Sequence, residues 1–267
     1  MRSRIYGIDF SGAKKAGKKI WIAEGIVEDN RLRIRECFRA ADLPNSSSDR
    51  DQSLTSLRNF IRDKGPAILG FDFPFGLPEV FVGRAKWENW VVSFEKRFGP
   101  DSDDFRQLCL RISDKKELKR VTDREAGTPL SSYNLRLYRQ TYFGIRDILS
   151  PLVKRQEVSV LPMQQPLPRK PWLVEVCPAS TLKKLGWRIS YKGKGDECRL
   201  GRKTVLSKIK TQGKVDVPAK ICSSAIEDTE GDALDGIIAA FSTFHSIKDS
   251  NRIVVTKTHL KEGYVFF

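Results

Sequence analysis

Five acidic residues are spaced so that folding could bring their carboxylates together: Asp9, Asp72, Glu175, Asp232 and Asp235. Asp9 closes the run RIYGID, and Asp72 interrupts AILGFDFPF. Glu175 lies near the end of WLVEV. Asp232 and Asp235, in GDALDGIIAA, are three apart, so on a helix they project from one face about a turn apart. Clustered carboxylates are electrostatically costly unless a cation neutralises them. Hard oxygen ligands suit Mg²⁺ or Mn²⁺. Two such ions about 4 Å apart activate water and stabilise the leaving oxygen of a phosphodiester. On this reading Asp9, Asp72 and Asp235 ligate metal, and Asp232 and Glu175 complete the catalytic set.

Each acid also has a plainer reading. A strand-end Asp such as Asp9 often caps a turn. Glu175 could pair with Lys or Arg at a sheet edge, and Asp232 suits the positive end of a helix. Asp72 is harder to explain this way, because an unpaired charge inside so apolar a run is costly. Asp235 stands deeper in its helix, beside the apolar stripe. The set persuades more than any member.

Positioning these residues requires particular elements. Arg4 to Phe10, Lys19 to Val27 and Arg31 to Phe38 read as three strands, the last two joined by an Glu28-Asp29-Asn30 hairpin turn. Leu54, Leu57 and Ile61 mark a helix from Ser53 to Lys64, stopped by Gly65-Pro66. Ala67 to Phe73 is nearly all apolar, as in a strand buried on both faces. Leu77 to Pro171 reads as a mostly helical insertion closed by a proline-rich loop. Its stripe of Leu135, Tyr138, Tyr142, Ile145 and Leu149 is expected to end at Pro151. Trp172 to Val176 is the next strand. Helices over Ala179–Leu185, Arg199–Lys210 and Gly231–His245 follow, the last burying Leu234, Ile237, Ile238 and Phe241. Arg252 to Thr256 and Tyr264 to Phe267 read as short terminal strands or extended segments. This is an α/β order: an RNase H-like, mixed five-stranded sheet flanked by helices, with a helical insertion between strands four and five. The crossover rule places the fourth strand parallel to the first. One domain is expected over 1–267, with core segments 1–76 and 172–267 and insertion 77–171.

The net charge of +15 suits a polyanionic partner, DNA or RNA. Lys183 to Lys220 alone carries 12 Lys and Arg against 3 Asp and Glu. Lys183 and Lys184 open this stretch. With Arg120, Arg136 and Arg139 of the insertion they are candidate substrate ligands, since paired arginines hold phosphate well. The alternative is an ordinary solvated surface. Trp87, Trp90 and Trp172 could stack on bases but suit core packing better. His245 and His259 lack metal-like spacing and read as incidental. Five scattered cysteines without a CxxC pair fit a reducing cytoplasm, and no signal core or membrane-length apolar run is present.

GIDFSGA, GFDFPFGLP, YNLRLYRQT, VEVCPAS, GDALDGIIAA and EGYVFF together resemble the family catalogued as domain of unknown function 429, from Gly7 to Phe267. Its members are predicted nucleases with an RNase H fold. DALD also resembles the Holliday-junction resolvases, in which two metal-site residues lie three apart on the last helix. That resemblance implies Asp9 as first-strand ligand, Asp72 as fourth-strand ligand, and Asp232 with Asp235 as the helix pair. Many resolvases carry Glu where this chain has Asp72, and Glu175 has no clear resolvase equivalent. Resolvases act as dimers, so a homodimer is implied as well. The expected function is a metal-dependent nuclease. The alternatives are a non-catalytic nucleic-acid-binding module, and an actin-like ATPase or small-molecule kinase suggested by the likeness of DFSGA to a phosphate loop.

Overall fold

The computed structural model describes residues 3–248 and 254–266. Strands β1 (Arg4–Asp9), β2 (Trp21–Glu28) and β3 (Arg31–Arg39) form the antiparallel meander. Asp29 and Asn30, at φ 49° and 61°, make the hairpin turn. Both central residues are left-handed, which Asp and Asn tolerate better than most L-residues. β4 (Ile68–Phe71) lies parallel to β1, in register from Ile5 opposite Ile68 to Ile8 opposite Phe71. β6 (Trp172–Val176) lies parallel to β4. β5 (Ser159–Val160) and β8 (Val265–Phe266) both pair with β6, and β7 (Val215–Asp216) pairs with β3. The order is β5-β6-β4-β1-β2-β3-β7, with β8 also on β6. The sheet therefore has eight strands rather than five. β8 falls within the expected Tyr264–Phe267 segment; the two unforeseen strands, β5 and β7, are two residues each, too short for periodicity to reveal.

Side-chain alternation divides the sheet into two buried faces. Tyr6, Ile8, Leu69, Phe71 and Leu173 join the core formed with the Arg50–Asp63 helix and the insertion. Ile5, Ala23, Leu32 and Ile34 face the other way, onto Leu234, Ile237, Ile238 and Phe241 of the Asp232–Lys248 helix. Each buried Ile, Leu or Phe here contributes roughly 1.5–3 kcal/mol of gross burial free energy. Close approach of this helix depends on Gly7 and Gly70. A Cβ on Gly7 would overlap the main chain of Gly236 and Ala240, and one on Gly70 would overlap the Thr243 hydroxyl.

The insertion shares the first core instead of forming its own. Trp87 and Trp90 are buried in it, and their indole N–H groups donate to the Phe75 and Phe81 carbonyls. Tyr138–Phe143, a π-helical turn Gly144–Leu149 and Ser150–Lys154 follow without a break. Pro151 does not end this run. Lacking an N–H, it cannot bond the carbonyl four residues back, and Arg58 donates to that Asp147 carbonyl at 2.7 Å. The last helix before β5 ends at Lys154, and β5 puts part of the expected insertion into the sheet. A short helix, Ala16–Lys19, replaces the expected start of the second strand. Val254 to Thr256 is not a strand, and Arg252, Ile253 and Phe267 lie outside the described residues. Among the described residues, no helix is long and apolar enough to cross a membrane.

Candidate functional site: an acidic centre at the sheet edge

Asp9 is the last residue of β1, and Asp72 follows β4 directly. The Asp72 N–H donates to the Ile8 carbonyl at 3.0 Å, which carries the parallel pairing one step past the strands. Asp9 has the parity of Gly7, and Asp72 that of Gly70. Both aspartates therefore point to the face covered by the Asp232–Lys248 helix. That helix starts at the same edge and brings Asp232 and Asp235 in its first turn. Asp228, not Asp232, caps its start, accepting from the Ala233 N–H at 2.8 Å.

Asp9 is only 9% exposed, and its carboxylate has no hydrogen bond or ion pair among the described residues. Burial, then Asp235, Asp72 and Asp232, push its pKa well above the ordinary carboxylate value. Burial and Asp235 lift Asp72 to about 8, against a partial opposing effect of Lys192. Burial also raises Asp232.

Among the described residues, one cation pairs with these carboxylates. Lys192 Nζ lies 2.5 Å from Asp235 Oδ2, and the Tyr191 hydroxyl donates to Asp235 Oδ1 at 2.6 Å. Desolvation alone would depress Lys192, but Asp235, Asp9 and Asp232 outweigh it and lift its pKa. The loop carrying this pair is firmly tied. Arg202, 1% exposed, donates to the carbonyls of Tyr191 and Gly193 at 2.7 and 3.0 Å and to Ile226 at 2.7 Å. The Gly193 N–H donates to the Thr229 carbonyl at 2.7 Å. Nothing in the spacing of this segment marks Lys192 or Tyr191, which in sequence belong only to a basic stretch.

The donor set has the hardness and charge that suit Mg²⁺ or Mn²⁺, with four carboxylates facing one ammonium. The spacing is not that of a formed metal site. Among the described residues no three His, Cys, Asp or Glu side chains are grouped to hold an ion. Both Asp235 oxygens are engaged by Lys192 and Tyr191.

Glu175 is not part of this group. It has the parity of Leu173 and so points to the opposite face of the sheet. There it accepts from the Phe75 N–H at 2.8 Å and pairs with Arg120 at 2.5 Å. Arg120 is correspondingly removed from substrate duty. It is 1% exposed and also pairs with Asp123 at 2.7 Å. His259 is equally internal, paired with Glu125 at 2.9 Å.

Arg139 and Arg136 are exposed on the insertion. Arg139 pairs with Asp103 at 3.4 Å and lies over the Tyr138 ring. Its segment reaches the acidic edge. The Arg139 main chain fills the space beside Gly12, and the Gln140 side chain donates to the Asp72 carbonyl. Lys183 and Lys184 are exposed on the Pro178–Lys184 helix, which starts just past β6. Lys183 borders a cleft of about 510 Å³ with Lys119 and Arg124. A larger cavity, about 1020 Å³, lies beside β3 between Phe38, Phe60 and Ile221, and none of the five acids lines it. No family model matches the sequence, and no curated protein or solved structure matches it.

Proposed function

We propose that this chain is a metal-dependent phosphodiesterase acting on nucleic acid, with an RNase H-like core. The observation that carries the proposal is Asp9. A carboxylate nine-tenths buried, without a hydrogen-bond or ion-pair partner among the described residues, and close to three other carboxylates, suits a cation. The central order β3-β2-β1-β4-β6, with only β2 antiparallel to the rest, supports the RNase H-like reading. The charge of +15 supports a polyanionic substrate.

Asp9, Asp72 and Asp235 are the residues that would hold Mg²⁺ or Mn²⁺. Bound there, the ion would supply an activated water and neutralise charge on the phosphate. Asp232 adds a further carboxylate at the rim. Arg136, Arg139, Lys183 and Lys184 stand on exposed elements that border or approach this edge and can hold flanking phosphates. The test incubates the protein with labelled single-stranded, duplex and branched DNA and RNA, with Mg²⁺ or Mn²⁺. Cleavage is expected, and to be lost in Asp9→Asn and Asp72→Asn. Cleavage unchanged in both variants overturns the site.

The engaged Asp235 favours a second reading, a nucleic-acid-binding module without turnover. It predicts salt-dependent binding and no uptake of divalent metal. The actin-like reading loses support at Gly12, because the turn that would cradle phosphate is packed against Arg139.

A further inference from the structure

We infer that Lys192 is an internal cation that occupies the acidic centre of the metal-free protein, and that a divalent ion completes its ligand set only by displacing it. The inference rests on the reading of Asp9, Asp72 and Asp235 as a metal site. Three observations carry it. The first is that Asp235, 3% exposed, has one oxygen on Lys192 and the other on Tyr191. It cannot ligate an ion as it stands, whereas Asp9 is open. The second is that, among the described residues, Lys192 is the only cation ion-paired with any of the four carboxylates, through Asp235, and its charge also acts on Asp9, Asp72 and Asp232, as an ion's would.

The third is mechanical. The backbone on either side of Lys192 is fixed by Arg202 and Thr229. A Cβ on Gly231 would press on the Lys192 stem and the Tyr191 ring, and one on Gly201 would overlap the Ser190 carbonyl. The loop is thus not free to swing. The Lys192 side chain is 54% exposed, however, while Asp235 is 4% exposed. The ammonium can leave to solvent by rotating its flexible stem, with no backbone rearrangement. Lys192 and the ion then compete for one carboxylate, and each weakens the other's hold on it.

Calorimetric titration of metal-free protein with Mn²⁺ tests this, comparing wild type, Lys192→Met and Lys192→Arg at one pH and ionic strength. Lys192→Met is expected to bind Mn²⁺ roughly tenfold more tightly, the equivalent of one partly exposed ion pair. Lys192→Arg, which keeps the charge, should stay near wild type. Asp9→Asn should abolish uptake in either background. Equal affinity in wild type and Lys192→Met, or weaker binding by the variant, overturns the inference alone. No uptake by either protein overturns the metal reading with it. Should Lys192→Met not fold without metal, wild-type protein with ¹³Cε-labelled lysine reports the same event. Saturating Mg²⁺ should move the Lys192 resonance to the position of exposed lysines, and an unmoved resonance refutes displacement.

Discussion

Replacing Arg120 by methionine should destabilise the protein severely while leaving the acidic centre intact. Arg120 is 1% exposed and faces Asp123 and Glu175, which are 3% and 4% exposed at the side chain. Burial works against its charge, but the two carboxylates prevail and hold its pKa well above the ordinary value. Burial pushes Glu175 the other way, up, and Arg120 only partly offsets that. The guanidinium does not give up its proton, so the ionised pair persists. Removing one partner of a buried pair costs about 3–5 kcal/mol. Arg120→Met strands two carboxylates and belongs at the upper end. Urea unfolding without divalent metal measures this directly. Arg120→Met, Asp123→Asn and Glu175→Gln combined should cost less than the sum of the singles, because the stranded charges are removed together. The reasoning is refuted if Arg120→Met lies within about 0.5 kcal/mol of wild type, as surface changes do. It is equally refuted if Glu175→Gln abolishes Mn²⁺ uptake at unchanged stability.

Stability of the metal-free protein should fall as pH rises from about 4 to about 8. Folded Asp72 keeps its proton to about 8, whereas the unfolded residue loses it near 4, so the folded state binds more protons in that window. The slope is at most about 1.4 kcal/mol per pH unit for this group, and Asp72→Asn should flatten it; an unchanged slope in that variant refutes the assignment. Gly7→Ala should cost about 1–3 kcal/mol or more through overpacking, since the methyl group meets main chain of the Asp232–Lys248 helix; a thermal melt like that of wild type would contradict the close approach. Lys183→Ala and Arg139→Ala should each reduce the slope of log affinity for nucleic acid against log salt by about 1. A slope unmoved by either change places the nucleic acid elsewhere on the surface.

The acidic centre was legible where strong local patterns carried it. AILGFDF announced a buried strand, and a buried parallel neighbour of β1 sets Asp72 beside Asp9. The stripe of Leu234, Ile237, Ile238 and Phe241 announced the helix that brings Asp232 and Asp235. Glu175 was misplaced because WLVEV is buried on both faces. Alternation separates Glu175 from Val174 and Val176, but sequence does not say which face holds the acidic centre. Arg120 was misread because arginine is seldom fully buried, and its partner Glu175 is 55 residues away. Lys192 escaped notice for the same reason of distance. Its contact with Asp235 joins a loop to a helix, which periodicity does not register.

The Asp232–Lys248 helix that seals Gly7 and its neighbours is made more than 200 residues after β1. At roughly 5–20 residues per second of synthesis, the nascent chain carries the sheet's second face, with Ile5, Ala23, Leu32 and Ile34, uncovered for about 10–45 s. A ribosome that stalls anywhere before Asp232 holds a half-clad sheet. Such a chain is a client for whatever in the cell shields apolar surfaces. The acidic centre itself cannot assemble until that helix arrives, because two of its four carboxylates, Asp232 and Asp235, come with it.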